Sequence, residues 1–352
     1  MYIRKSENTG YAEALRRRRF LNYLYLLLLS VFLILLAVLS VGIGVVEISV
    51  KDIAAALKEG ITGKSSGLSS GHFAIIWDIR IPRVLMALVS GAALSAGGVG
   101  MQGVLRNPLV SPYTLGISSA AAFGASLAIV FAGENAVIPL AFFSSLTAVA
   151  FVLFLASRKG IRSESLILAG IAVMYVFSSG ASLLQYIATK DQLAQIVFWL
   201  MGSLTSTTWK QVLIVSAVFL FVYPAIYRLS WHLNILSSGH DSAKSLGTNS
   251  ELIIFVMIVL VTLMTAVIVS FTGVIGFVGL AAPHIARLIF GTDHRILFPS
   301  AAFTGSIILL FSDTLSRTIL GNTEIPIGII TSLIGVPFLI SILLRKQKQT
   351  GI

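Results

Sequence analysis

Apolar residues along this chain run in long blocks rather than in strand-like alternation. A helix rising 1.5 Å per residue needs about 20 apolar residues to cross a bilayer. Blocks of that order fall near residues 20–46, 82–104, 113–132, 136–157, 165–187, 211–230, 252–272, 274–290, 297–316 and 327–344. The pattern predicts an all-α polytopic membrane protein with about ten transmembrane helices. One transmembrane domain covers 20–346, between a basic segment 1–19 and a tail 347–352. The seventh and eighth blocks nearly abut at Gly273, so nine spans is the alternative count. Two shorter stretches also read as helices: "SVKDIAAALKEG" (Ser49–Gly60), opened by a serine, and "QLAQIVFWLMGSL" (Gln192–Leu204), too short to cross. Pro112, Pro283, Pro299, Pro326 and Pro337 are expected at helix starts or breaks.

Composition points the same way. Of 352 residues, 56% are hydrophobic and 11% charged, with a mean hydropathy of +0.94. A soluble domain carries about 25% charged residues, and a charge in hydrocarbon costs several kcal/mol. There are no cysteines, which excludes disulfides and thiolate metal sites. The net charge of +11 suits positively charged loops better than a nucleic-acid partner. With ten spans, most of the 25 Lys and Arg fall on the side of the N-terminus, among them Arg16–Arg19, Arg106, Arg158, Arg162, Lys244, Arg295 and Arg345. The positive-inside rule then places both termini in the cytoplasm. The first block runs about 27 residues, too long for the roughly 7–15-residue core of a signal peptide, and reads as a retained span.

Several stretches carry candidate chemistry. "GHDSAKSLGTNSE", residues 239–251, is too polar to enter a bilayer and falls on the inner side, as a short polar helix or a solvated loop. "GITGKSSG" lacks the first glycine of a nucleotide-binding loop, since Lys58 stands in that slot. Arg80 and Arg83 sit at the outer mouth of the second span, either snorkelling to headgroups or meeting an acidic partner. Asp313 and Arg317, four apart, form an ion pair near the outer end of span nine. His284, beside Pro283, reads as a packed histidine, without a second ligand at metal spacing. Nearly every Asp and Glu sits at a span end, where an ion-coupled carrier would hold one near mid-membrane. An intramembrane enzyme would want clustered nucleophile and base residues, which the scattered histidines do not supply. Ala92, Ala96 and Gly100 form a small-residue stripe, explained by helix packing, with a dimer or pore face as the alternative.

Taken together, "IRIPRVLMALVSGAALSAGGVGMQGVLRNPLVSPYTLGISSAAAFGA" (79–125), "GFVGLAAPHIARLIFGTDHR" (276–295), "EIPIGIITSLIGVPFLISILLRK" (324–346) and the "AKSLG" run resemble the FecCD-type permease subunits of type II ABC importers. That family takes up iron–siderophore complexes, haem and cobalamin. The resemblance implies a permease that is not itself an enzyme and needs no cofactor. Its implied partners are two ABC ATPase subunits, an extracytoplasmic substrate-binding protein, a second permease protomer in a homodimer or close heterodimer, the bilayer and a metal-chelate cargo. It implies a cytoplasmic coupling segment over about 233–251 that docks on the ATPase, with Gly239, His240, Ser242, Ala243, Lys244, Ser245, Leu246 and Gly247 as contacts. Ala243, Leu246 and Gly247 would be the packing face; Ser242, Lys244 and Ser245 the polar contacts. Arg80, Arg83 and Arg317 match arginines that pair with glutamates of the binding protein. Ser163 and Glu164 match the cytoplasmic gate, with Glu164 in place of a small hydroxyl residue. Substrate would pass a cavity lined by spans three, five and ten. His240 and Ala120 depart from the family's frequent Glu and Gly, which bears on ATPase pairing and cavity width. The cargo, a ferric siderophore first and cobalamin or haem as alternatives, is not distinguished by any residue.

Overall fold

The computed structural model describes residues 3–349 except Val45, Glu47, Ser66, Lys159, His240, Asp241, Ser242, Lys244 and Asn322, with backbone alone for 3–15, Arg18, Arg19, Phe338, Leu339 and 341–349. The described residues form helices joined by short connections. In order these are α1 (Ile3–Gly42), α2 (Val50–Thr62), α3 (Ser70–Leu105), α4 (Ile117–Ala132), α5 (Val137–Ser157), α6 (Ser163–Ile187), α7 (Lys190–Leu200), α8 (Trp209–Arg228), α9 (Ser230–Leu236), α10 (Ser250–Thr272), α11 (Val278–Phe290), α12 (His294–Thr318) and α13 (Ile327–Gln349). Seven of them, α1, α3, α5, α6, α8, α10 and α12, are long and apolar enough to cross a membrane. The shorter apolar helices α4, α11 and α13 complete the ten predicted blocks, so the chain is a multi-pass membrane protein.

Side-chain size sorts these helices into centre and periphery. In lipid, helices associate by close packing rather than by escaping water, so small residues collect where backbones meet. Helix α3 is rich in Gly, Ala and Ser, and 83% of its apolar window is buried, against 11% for the Leu- and Phe-rich α1. A Cβ at Gly91 would run into the carbonyl of Gly305 on α12, and one at Gly98 into the carbonyl of Gly279 on α11. Gly100 faces Met257 and Val261 of α10. The small residues of α3 therefore face neighbours within one protomer, and packing, not a dimer or pore face, accounts for the stripe. Two serine hydroxyls fasten the α3–α12 seam: Ser95 donates to the Ala301 carbonyl and Ser306 to that of Leu88, each at 2.7 Å.

Some boundaries differ from the sequence expectation. Helix α1 begins at Ile3, so the basic segment continues the first span as helix rather than preceding it. Helix α3 begins at Ser70 and contains a π turn over Ile75–Arg80, in which the Ile81 N–H reaches back to the Ile76 carbonyl. Pro82 supplies a reason: it has no N–H to offer, and the wider turn absorbs the missing bond. Pro283, Pro299 and Pro337 lie inside helices, not at their starts. The external helices appear where expected, α2 and α7 each closed by a capping box, from Ser49 with Asp52 and from Thr189 with Gln192.

Spans seven and eight are separate. Helix α10 stops at Thr272, Gly273 takes φ 66°, and helix resumes only at Val278. Irregular backbone at such a place needs partners inside the protein. It has them: the Tyr113 hydroxyl donates to the Ile275 carbonyl at 3.0 Å, and the Ser203 N–H to that of Thr272 at 2.8 Å. The α3–α11 contact gives the first prediction. Gly98→Ala drives its new Cβ into the Gly279 carbonyl and costs about 1–3 kcal/mol, read as a lower thermal midpoint of the detergent-solubilised protein. Gly71→Ala, in open space on the same helix, leaves the midpoint unchanged or slightly raised.

Candidate functional site

One end of the bundle is built around arginines. Helix α1 ends with carbonyls that have no further turn to bond. Arg80 donates to Val41 O (2.7 Å), Gly42 O (3.0 Å) and Val46 O (2.6 Å). Arg317 donates to Ile43 O and Ser40 O, both at 3.0 Å, and to Ser40 Oγ at 2.8 Å. Two guanidinium groups thus cap one helix, at the end where its dipole favours positive charge. Between α3 and α12 lies Asp313, fully buried, with Arg83 Nε at 2.8 Å from Oδ1 and Arg317 Nε at 3.2 Å from Oδ2. Arg83 also reaches both oxygens of Glu324, at 2.8 and 2.9 Å, and the Thr205 hydroxyl donates to Glu324 at 2.6 Å.

The three arginines expected to meet a binding protein thus lie within this network. Arg80, Arg83 and Arg317 are only 7%, 4% and 7% exposed, and the hydrogen bonds they make run to the chain's own carbonyls, carboxylates and Ser40 hydroxyl. A buried cation needs fixed partners, and the sequence signal that would have found them is Glu324, which opens the quoted "EIPIG" run. The outward-facing charge of the cluster is Glu324, whose side chain is 41% exposed. Burial works against its ionisation, but hydrogen bonds from Arg83 and Thr205 and the charges of Arg83 and Arg317 outweigh this and hold the carboxyl below its usual range.

At the opposite end, the 239–247 segment follows α9 directly. His240, Ser242 and Lys244 lie outside the described residues. Gly239 opens the segment at φ 109°, and its carbonyl accepts from the Ala243 N–H at 3.0 Å. Ala243 is fully buried in the protein's own core, whereas Leu246 is 67% exposed beside Gly247 at φ 76°. The expected packing face therefore divides: Ala243 anchors the segment on the bundle and Leu246 projects from it. Ser245 lies on the segment's helical stretch and is exposed. Ser163 and Glu164 begin α6; the Ser163 hydroxyl is enclosed without a partner among the described residues, and Glu164 is exposed.

A cavity of about 330 Å³ lies between α4 and α6, lined by Ser118, Ser119, Ala122, Ser178, Ala181, Ser182, Gln185, Leu200 and Val274. Helices α4 and α6, the third and fifth spans, contribute most of its wall. Helix α13 is held behind the Met201–Gly202 turn, with Gly328 N bonded to Met201 O at 3.0 Å and Ile327 N to Gly202 O at 3.2 Å.

A central small-residue helix, a hydroxyl-lined cavity among the spans and a polar stretch of sequence between α9 and α10 accord with a membrane permease. The chain belongs to the FecCD transport family, which it matches over residues 32–345, and is thus a permease subunit of ABC transporters. It is similar to the hemin transport permease HmuU of Yersinia pestis, 39% identical with 78% of this chain and 84% of that one covered. It is also similar to the vitamin B12 import permease BtuC of Salmonella arizonae, 34% identical over 80% and 86%. The molybdate import permease MolB of Haemophilus influenzae is 39% identical over 79% and 82%. A metal-chelate type ABC transporter solved in an inward-facing conformation has a TM-score of 0.81 at 36% identity, covering 92% of this chain and 99% of that one.

Asp313→Ala leaves Arg83 and Arg317 buried without their shared counter-charge and destabilises by about 3–5 kcal/mol, measured as lost folded protein in thermal melts. Glu324 has a depressed folded value, so its contribution is present at neutral pH and is lost as pH falls through that value. Melts of wild type and Glu324→Gln should therefore differ at pH 7 and converge on acidification.

Proposed function

We propose that this chain is the membrane-spanning subunit of an ATP-driven importer that moves a metal chelate, a ferric siderophore first among the cargoes, across the cytoplasmic membrane, with both termini in the cytoplasm. The observation that carries the cargo class is the cavity wall: hydroxyls, one amide and aliphatic groups, with no charged side chain among its lining residues. A bare divalent cation is usually held by several anionic or carbonyl oxygens. A chelate brings its own ligands and asks only for a broad, weakly polar surface. Relatives named for hemin and for vitamin B12 import agree with such cargo. A bare oxyanion, as the name of the molybdate relative suggests for that protein, would call for cationic groups along the path.

The mechanism is alternating access. Two ATPase subunits grip the 239–247 segment of each of two permease protomers, with Leu246 as the apolar knob, Gly239, His240, Ser242, Lys244, Ser245 and Gly247 around it, and Ala243 anchoring the segment on the bundle. Their closure on ATP moves the segment and, through it, the gate at Ser163 and Glu164. A loaded binding protein docks at the arginine end. There, Arg80, Arg83 and Arg317 act as positioning residues that hold the loops after α1 and α12 in place, while Glu324 is the charge the partner meets.

Two measurements test this reading. Gly247→Pro forces a φ near −65° onto a residue at φ 76°; uptake and ATPase association should be lost while membrane insertion is kept. Normal uptake by that variant would falsify the docking role. An uptake panel of ferric siderophore, hemin and cobalamin, in cells also expressing the ATPase and binding protein, reads the cargo; transport that survives ATP depletion would sink the importer reading altogether.

A further inference from the structure

The docking segment has to move something, and its stem shows what. Helix α9 ends at Leu236, three residues before Gly239, and packs against α12, α3 and α8. Its buried Leu233 lies against Gly103 of α3, which also faces His294 Nε2. Asn234, one residue on, makes the polar half of this joint. Its amide nitrogen donates to Asp293 Oδ1 at 2.7 Å. Its amide oxygen faces the His294 backbone N–H at 3.0 Å and His294 Nδ1 at 2.7 Å. Only this amide orientation gives both ends a complementary partner, with Nδ1 carrying the proton. Asp293 is at the same time the N-cap of α12, its Oδ1 accepting from Arg295 N at 3.0 Å. Arg295 in turn stacks on Trp231 of α9, 4.4 Å from the ring centre.

Helix α12 is 25 residues long, about 37 Å at 1.5 Å per residue. It lies along α3 with glycine against glycine and two cross-helix hydroxyl bonds. At its far end it carries Asp313 and Arg317, which hold Arg83 and the end of α1. Its two ends are thus fixed to the two functional faces, and among the described residues Asn234 joins it to the stem of the docking segment by both a donor and an acceptor.

We infer that Asn234 is a positioning residue for transport: it couples displacement of the 239–247 segment to the N-cap of α12, and α12 delivers that displacement to the arginine end. The inference rests on the reading of 239–247 as the ATPase dock. Asn234→Asp sets a second carboxylate against Asp293 and removes the donor. Asp293→Asn keeps an acceptor. The double variant Asn234→Asp with Asp293→Asn restores a donor–acceptor pair in the opposite sense, at unchanged net charge.

The test uses the permease with its ATPase and binding protein in proteoliposomes, reading ATPase retention, ATP hydrolysis and uptake of whichever cargo the panel selects. Asn234→Asp is expected to retain the ATPase and hydrolyse within about twofold of wild type while uptake falls tenfold or more. The double variant should recover at least half of the wild-type uptake. Uptake within twofold for Asn234→Asp, or no recovery in the double variant, overturns the role. Loss of the ATPase from Asn234→Asp would place Asn234 in the docking contact and also overturn it. Should Asn234→Asp not reach the membrane, Asn234→Ala takes its place, with the same split between hydrolysis and uptake required. Failure of the dock itself is separate, since it shows as ATPase retained by Gly247→Pro.

Discussion

Gly91 and Gly305 meet backbone to backbone inside the bundle, and much else follows from that contact. Any side chain at either position would prise α3 from α12. With the two helices this close, Arg83 of one reaches Asp313 of the other at 2.8 Å, an ion pair that two larger facing residues would stretch. The same closeness brings the end of α3 against the start of α12, where Gly103, His294 and Leu233 crowd together. A packing constraint of a few ångströms therefore sets both polar junctions, one at each end of the same helix pair.

The arginine junction shows how a bundle in lipid accommodates three cations. Two carboxylates answer only part of the charge. The remainder meets the carbonyls at the end of α1, whose dipole is negative there. Because that helix end is a set of partners rather than a single ion, the first span is tied to the core chiefly by its terminus, although little of its length is buried.

Much of this was legible in the chain, and the limits have physical causes. Every apolar block reappears as a helix, because twenty consecutive apolar residues have few other ways to satisfy their backbone in lipid. The capping residue Ser49 announced the first external helix through a purely local bond, whereas the second was legible from its length and its cap, Thr189, was not noticed. What failed was long-range. An arginine at a span mouth reads alike whether it snorkels or is buried; only Asp313 and Glu324, 230 and 241 residues away, decide it. The turn after α7, which holds Gly328 and Ile327 of α13 by backbone bonds, carries no signature in the sequence beyond Gly202. Asn234 drew no notice in the sequence, since its meaning lies entirely in the Asp293–His294 pair it meets; that pair was quoted, but only as part of a motif.

The π turn in α3 sets a rotational phase for the chain. One residue beyond the α-helical count rotates everything downstream by about 100° relative to everything upstream. Trp77, within the turn and tilted against Trp209, and Arg83, beyond the turn and aimed at Asp313, are thereby set on independent headings. A sequence one residue shorter in that stretch could satisfy its aromatic contacts or its buried charges, but not both, so the apparent irregularity works as a vernier between the rim of the protein and its interior.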